Sequence, residues 1–273
     1  MLTHDATRAP FVLDRSLFGS FDRFAEVRST LAPMIWTPDE IPLTAYDVVI
    51  GHFSLSSLLT AFEPDEIAMN LREPRSRLLS HYSYWRSWTD PEHQSWSPYD
   101  ASLRARELGW SEFLDEESIA AQIDNVAVRL LVGPDPRIPS EGFIEPADLD
   151  ELVARALVLQ RSLGVVDVIE RGDRCWANLG QWLGRPLIVA RDNETSRSEH
   201  SDIELHPKDP VTSRRLDRLT AGDRVLWADA ASATGPTDTG SDMGRLADET
   251  WMEHVARLAD PPRSASGRGS PAS

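Results

Sequence analysis

Cysteine and lysine are almost absent from this chain of 273 residues, which contains one of each, Cys175 and Lys208. A single cysteine excludes an internal disulfide and a metal site built from several thiolates. We expect Cys175 to be a small buried residue in a reduced, intracellular setting. Any mechanism that requires an amine side chain has one candidate, and the turn-rich sequence HPKDP around Lys208 predicts a solvated loop.

Positive charge and long apolar runs are also scarce. The formal net charge of −16 argues against nonspecific binding to nucleic acid, which requires a basic face. No apolar run approaches the roughly 20 residues of a membrane span, and the start MLTHDATRAP lacks the layout of a signal peptide. The histidines show no helical pair typical of metal ligands. We therefore expect a cytoplasmic protein without a metal and without nucleic-acid or membrane partners.

The one basic segment lies between Arg72 and Arg86. It holds four arginines against the single acid Glu73, a local charge of +3 inside a strongly acidic protein. Such a concentration of guanidinium groups predicts a local site for an anion.

Apolar patterning predicts an α/β fold. Strands are predicted at 46–51, 67–71, 164–169 and 186–190. Helices are predicted at 16–31, 76–88, 146–160 and 174–183, with further helical pattern within 101–132. Strands that alternate with helices indicate a mostly parallel sheet covered on both faces. We expect one domain at 1–228, followed by a low-complexity tail at 229–273 with one amphipathic helix at 243–258.

Arg72 closes a predicted strand, and Ser80 follows about two helical turns later. A guanidinium and a hydroxyl at such a junction suit a phosphate monoester. The alternative is that the arginines form surface ion pairs and Ser80 only faces solvent. The segment LREPRSRLLSHYSYW resembles RDPxxRxxSxY of the sulfotransferases that use 3'-phosphoadenosine 5'-phosphosulfate. In that family the first arginine and the serine hold the 3'-phosphate, so the resemblance implies this role for Arg72 and Ser80.

The resemblance covers roughly residues 40–228 and keeps the order of the family's elements. DVVIGHF looks like the strand with Gly-His-Phe that precedes the motif in the carbohydrate-type branch. QIDNVAVRLLVG resembles its NxQxRxLxG helix, and ADLDELVARALVLQRSLGVVDVIE resembles its helix and following strand GLxE. RDNET is similar to its Asn-x-Thr segment, and LTAGDRVLWADA is similar to its closing helix.

The family implies a three-layer α/β sandwich related to the P-loop nucleotide kinases. It also implies transfer of a sulfuryl group to a hydroxyl of a carbohydrate or another polar acceptor, with 3'-phosphoadenosine 5'-phosphosulfate as co-substrate. We expect His52 to be the base that removes the acceptor's proton, although a histidine at a strand end is often a hydrogen-bonded structural group. Glu73 is the reserve base, and the alternative is that it caps the following helix.

One departure from the family concerns the first strand and its loop. Members open with a strand and a loop of the form PKTGGTS, which holds the 5'-phosphosulfate, and nothing before Asp47 matches it. No strand is predicted ahead of Gly19, so the first strand and loop are expected to be missing. Either the true start lies upstream, or the chain is a homologue that binds without turnover. A third possibility is that Arg8 or Arg15 replaces the loop lysine.

Three functions remain open on this basis. The first is a sulfotransferase, and the second is a non-catalytic nucleotide-binding or interaction module on the same fold. The third is a site for another phosphorylated ligand, as in a kinase relative, although a Walker-type loop is absent from the sequence. Trp85, Trp88 and Trp96 either line a groove that stacks on sugars or, as we favour, pack in the core.

Overall fold

The computed structural model describes residues 11–14, 35–36, 43–45, 48–88, 100–139, 141–187, 209–233 and 240–259. The strands are β1 (Phe11–Asp14), β2 (Ile35–Trp36), β3 (Ile50–His52), β4 (Ala68–Leu71) and β5 (Val165–Val168). One sheet has the order β2-β1-β3, and a second sheet pairs β4 with β5. Every pairing is parallel, so the fold is α/β.

Ten helices connect and cover these strands within the described residues. They are α1 (Leu55–Leu58), α2 (Pro74–Arg86), α3 (Asp100–Glu107), α4 (Trp110–Phe113), α5 (Ala120–Ile123), α6 (Val126–Val132), α7 (Pro146–Ser162), α8 (Asp173–Trp182), α9 (Pro210–Ala233) and α10 (Gly240–Ala259). Short 3-10 turns lie at Leu43–Ala45, Pro64–Glu66, Glu117–Ile119 and Ile169–Arg171. None of the described helices combines the length and the apolar character that a membrane crossing requires.

Most of the predicted elements are present. The strands at 67–71 and 164–169 are confirmed as β4 and β5, and the helices at 76–88, 146–160 and 174–183 are confirmed as α2, α7 and α8. The strand predicted at 46–51 begins later, as β3, and includes His52. The helix predicted at 16–31 lies outside the described residues, as does most of the strand predicted at 186–190.

The expectation that no strand precedes Gly19 was wrong, because β1 covers Phe11–Asp14. β1 lies between β2 and β3 and pairs with both. Its apolar part is only Phe11, Val12 and Leu13, a run too short to indicate a strand beside the helical pattern that follows it.

Three apolar clusters form the core of the described residues, of which the smallest contains Leu43 and Phe53 and the other two are large. One joins β4 and β5 to α6, α7 and α9, and its buried members include Leu71, Val128, Leu152, Val168 and Leu226. The other joins α2, α3, α4 and α9 and includes Leu78, Leu79, Tyr82, Phe113 and Leu219. Trp85 is buried in the second cluster and Trp88 packs against it, which confirms the preference for core packing, while Trp96 lies outside the described residues.

A polar clamp fixes α6 against α9. Asn125 adopts a left-handed conformation with φ of 43° and donates its backbone N–H to the Leu219 carbonyl at 2.7 Å. Its Oδ1 accepts a bond of 2.7 Å from the Gly222 N–H. A Cβ atom on Gly222 would lie 2.8 Å from the Val153 side chain and 2.9 Å from the Val128 side chain. The glycine therefore allows α9 to approach α6 and α7 closely.

The end of the described chain packs on the same core. α9 continues past residue 228 to Ala233, and the predicted helix at 243–258 is present as α10. Trp251 and Val255 of α10 are buried in the cluster that contains α2. This last helix is thus attached to the element that carries most of the basic segment.

Candidate functional site

The junction between β4 and α2 is organised by Glu73. Its carboxylate accepts the Ser76 N–H at 2.8 Å and caps α2, whose first residue is Pro74. Its backbone N–H donates to the Glu170 carboxylate at 2.7 Å. The Glu73 side chain is fully buried. These contacts match the alternative role as a helix cap and leave Glu73 poorly placed to act as a reserve base.

The basic segment divides into two groups. Arg75 donates to Glu73 at 2.9 Å and to Asp248 of α10 at 3.0 Å. Arg86 donates to the Ala105 carbonyl at 2.9 Å. The four arginines therefore do not all face one anion site, because Arg75 and Arg86 link α2 to its neighbouring helices.

Arg72 lies half-buried at the carboxyl end of β4. Its charge acts on Glu170, whose carboxylate also accepts the Trp227 indole N–H at 3.0 Å. Burial raises the pKa of Glu170, while the bonds from Glu73 and Trp227 and the charge of Arg72 oppose that rise. Arg72 thus acts on the Glu170 carboxylate, which also accepts hydrogen bonds from the Glu73 N–H and the Trp227 indole.

Arg77 lies on the first turns of α2, with its guanidinium 4.0 Å from the carboxylate of Asp223. Asp223 is buried and also accepts the Val128 N–H at 3.1 Å. Burial raises the pKa of Asp223, and the nearby charge of Arg77 opposes that rise. Arg77 and Asp223 therefore form a long ion pair between α2 and α9.

His52 is the last residue of β3. The residue as a whole is exposed, yet protein atoms crowd its imidazole and this desolvation lowers its pKa. The charge of Arg77 lowers the pKa of His52 further. A histidine whose pKa is below 6.5 is mostly neutral at pH 7 and able to accept a proton.

His81 is close enough to Arg77, His52 and Arg72 for their charges to act on it. Burial holds its pKa well below the usual value, and the charges of Arg77, His52 and Arg72 lower it in that order. Its ring packs against Trp85 with centroids 5.1 Å apart. Its Nδ1 is buried and has no hydrogen-bond partner among the described residues. The ends of β3 and β4 and one face of α2 therefore share a region that contains the guanidinium groups of Arg72 and Arg77, each near a carboxylate.

Ser80 is half-buried on α2, directly before His81 and three residues after Arg77. Residues three apart on a helix lie on the same face, so Ser80 lies on the face that carries Arg77. The charge of Arg72 reaches the neighbouring His81. His52 and Arg72 thus both act on His81, and Ser80 directly precedes His81 on α2.

Sequence reasoning included Arg77 only as one of the four arginines of the basic segment, and it missed His81 and Asp223. Arg77 occupies the second arginine position of RDPxxRxxSxY, which was a usable signal. The sequence carried no comparable signal for Asp223, because its contact with Arg77 joins segments far apart in the chain. Among the described residues no group of three or more His, Cys, Asp or Glu side chains is arranged to hold a metal ion. Lys208, Arg8 and Arg15 lie outside those residues.

Comparison of the chain with protein-family models, with curated proteins and with solved structures finds no match.

Proposed function

We propose that this chain binds 3'-phosphoadenosine 5'-phosphosulfate and transfers its sulfuryl group to an acceptor hydroxyl. One observation carries the proposal: His52 at the end of β3 and Arg72 at the end of β4 share an electrostatic neighbourhood with Arg77 and His81. Ligands of open α/β sheets bind at the carboxyl ends of the strands. Two guanidinium groups at that position, in a protein of net charge −16, suit a phosphorylated ligand.

In this proposal Arg72 and Ser80 hold the 3'-phosphate. A guanidinium supplies paired N–H donors to phosphate oxygens, and a hydroxyl supplies one more. Glu170 and Asp223 reduce the repulsion between Arg72 and Arg77 before a ligand arrives. We also propose that the fold is a three-layer α/β sandwich related to the P-loop nucleotide kinases.

His52 is the proposed general base. The acceptor oxygen forms a bond to sulfur while the bond between sulfur and the 5'-phosphate oxygen breaks, and the leaving phosphate keeps that electron pair. The acceptor's proton passes to the neutral imidazole of His52. Arg77, whose charge already acts on His52, offsets the negative charge that develops on the leaving phosphate.

A second candidate function is binding without turnover. The printed sequence has no PKTGGTS-like loop, which in the family holds the 5'-phosphosulfate. A chain with only the Arg72 region would bind the nucleotide product, 3'-phosphoadenosine 5'-phosphate. It would not form that product from the co-substrate.

Calorimetric titration with 3'-phosphoadenosine 5'-phosphate tests the nucleotide site. We expect Arg72→Ala to weaken binding by about 1.5 to 3 kcal/mol, as loss of a charged hydrogen bond does. Arg245→Ala is the matched control, since Arg245 is an exposed arginine of α10 paired with Glu249. Equal affinity for adenosine 5'-phosphate would favour a site for another phosphorylated ligand, and no binding of either nucleotide would refute the proposal.

Product release separates the two candidate functions. With an acceptor present, a sulfotransferase releases 3'-phosphoadenosine 5'-phosphate from the co-substrate, and His52→Gln should slow that release by about a hundredfold or more, as loss of a general base does. Nucleotide affinity should stay unchanged in this variant. Binding without any release of product would support the non-catalytic module.

A further inference from the structure

The carboxylate of Glu170 connects three parts of the fold. Glu170 lies in the 3-10 turn Ile169–Arg171, directly after β5. Its Oε1 accepts the Glu73 N–H at 2.7 Å, and its Oε2 accepts the Trp227 indole N–H at 3.0 Å. One oxygen is therefore bonded to the junction between β4 and α2 and the other to α9. Bonds to both oxygens from different elements fix the plane of the carboxylate.

The strand register places this carboxylate beside Arg72. Leu71 of β4 is the partner of Val168 of β5 in their parallel pairing, so Arg72 and the turn with Glu170 leave the sheet at the same edge. The Glu73 N–H belongs to the peptide group that joins Arg72 to Glu73. Glu170 thus holds the backbone that carries Arg72, and the charge of Arg72 acts on its carboxylate.

This arrangement orders the surroundings of Arg72 before a ligand arrives. A long arginine side chain loses rotamer freedom when it binds an anion. A side chain that is already ordered loses less, so preorganisation raises affinity. Trp227 and Glu73 are both buried, so the Glu170 carboxylate is attached to the interior of the protein.

We infer that Glu170 is a positioning residue for Arg72 and sets the preference of the site for a nucleotide with a 3'-phosphate. The inference rests on the proposed function, in which Arg72 holds that phosphate. A carboxylate near a bound phosphate also repels it. The two effects predict opposite results when the Glu170 charge is removed, because loss of repulsion strengthens binding of the 3'-phosphate and loss of positioning weakens it.

The test compares two nucleotides by calorimetric titration of the full chain. Adenosine 5'-phosphate has the 5'-phosphate of 3'-phosphoadenosine 5'-phosphate and lacks the 3'-phosphate, so the ratio of the two affinities measures the preference. Glu170→Gln keeps one oxygen acceptor and removes the charge and the second acceptor. We expect the preference to fall about three- to tenfold, as loss of order in one long side chain does. An unchanged or increased preference would overturn the inference, because a purely structural role weakens both nucleotides equally.

Arg72→Ala shows whether the effect passes through Arg72. In a chain that already carries Arg72→Ala, addition of Glu170→Gln should change the preference by less than about twofold, because the side chain that Glu170 positions is absent. A second fall as large as that in the parent chain would mean that Glu170 acts on the 3'-phosphate by another route, and the inference would be refuted.

Glu66→Gln is the matched control at the other end of β4. Glu66 is an exposed acid in the turn before that strand, and its carboxylate accepts the Glu63 N–H at 3.0 Å. The same chemical change at Glu66 should leave the preference within about twofold, because the effect of a distant exposed charge is screened. A fall equal to that in Glu170→Gln would refute a specific role for Glu170.

Trp227→Phe provides a second variant if circular dichroism shows that Glu170→Gln is unfolded. It removes the indole donor to Glu170 and keeps an aromatic ring in the core. We expect the preference to fall at least about twofold, because the carboxylate loses one of its two fixed bonds. An unchanged preference in this variant would also refute the inference.

The outcomes separate this inference from the proposed function. If the parent chain prefers 3'-phosphoadenosine 5'-phosphate in a manner that depends on Arg72, and Glu170→Gln leaves that preference unchanged, the inference is refuted and the nucleotide site stands. If the parent chain shows no preference, the proposed nucleotide site is refuted together with the inference.

Discussion

The guanidinium of Arg77 lies 4.0 Å from the carboxylate of Asp223, which joins the basic face of α2 to the buried interior of α9. Asp223 also accepts the Val128 N–H, so the same carboxylate holds the start of α6. The buried Asp223 carboxylate therefore contacts both Arg77 of the candidate site and the start of α6 in the core.

Replacement of this acid should separate the two roles. Asp223→Asn keeps an oxygen that can accept the Val128 N–H but removes the negative charge beside Arg77. We expect the free energy of unfolding to fall by about 1 to 3 kcal/mol, because Arg77 loses its charged partner. The affinity for 3'-phosphoadenosine 5'-phosphate should rise about three- to tenfold, because the region becomes more positive. Urea denaturation and calorimetry measure the two effects.

Asp217→Asn is the matched control on the same helix. Asp217 is exposed and pairs with Arg224, so its replacement should change the unfolding free energy by less than about 1 kcal/mol. Weaker nucleotide binding in Asp223→Asn would contradict an anion site at Arg77.

The buried histidine makes stability depend on pH. Burial holds the pKa of His81 below its usual value in the folded chain, so the unfolded chain takes up a proton more readily. The stability that His81 contributes is complete above the unfolded pKa of about 6.5 and is lost as pH falls below it. His52, whose pKa is also lowered, acts in the same direction.

His81→Phe should remove its share of this dependence, and phenylalanine can keep the ring contact with Trp85. Urea denaturation at pH 7.5 and at pH 5 should show a smaller loss of stability on acidification in the variant than in the parent chain. Equal losses would mean that His81 does not titrate with unfolding.

Arg129 makes several short hydrogen bonds with its guanidinium group. Its guanidinium donates to the Asp124 carboxylate at 2.8 Å, to the Asp124 carbonyl at 2.9 Å, to the Pro139 carbonyl at 2.7 Å and to the Gly142 carbonyl at 2.9 Å. Arg129→Met leaves a buried carboxylate without its charged partner and should cost about 3 to 5 kcal/mol of unfolding free energy.

Arg224→Met provides the comparison for that measurement. Arg224 is 44% exposed and pairs with Asp217 at 3.1 Å. Its replacement should cost no more than about 1 kcal/mol. If Arg129→Met lowers the free energy of unfolding no more than Arg224→Met does, the network around Asp124 does not depend on the guanidinium of Arg129.

The Cys175 thiol should react slowly in the folded chain. Burial raises the pKa of its thiol to about 11, with the charges of Asp167 and Glu170 adding to the shift. At pH 8 roughly one molecule in a thousand then carries the reactive thiolate. We expect a thiol-specific disulfide reagent to react slowly with the native chain and rapidly after addition of urea. The single cysteine makes the signal unambiguous, and equal rates would contradict its burial.

Local patterning predicted the elements that carry the site. The apolar run before Arg72 predicted β4, and Pro74 predicted the start of α2. The same patterning placed His52 and Arg72 at the ends of two predicted strands. These features could be predicted because each depends on a short stretch of sequence.

The partners of individual side chains were beyond sequence reasoning. Arg75, Arg77 and Arg86 look alike in the sequence, yet they contact Asp248, Asp223 and the Ala105 carbonyl respectively. Each of these contacts joins segments that are distant in the chain, so only the packing of α3, α9 and α10 on α2 decides them. The division of the basic segment into structural and site arginines follows from that packing.

Gly222 and Asp223 are consecutive residues of α9, so the packing at one affects the position of the other. Any larger residue at 222 would push α9 away from Val128 and Val153, and the displaced backbone would move the Asp223 carboxylate as well. The absence of a side chain at residue 222 therefore sets the distance between Asp223 and Arg77 as well as the spacing of the core helices.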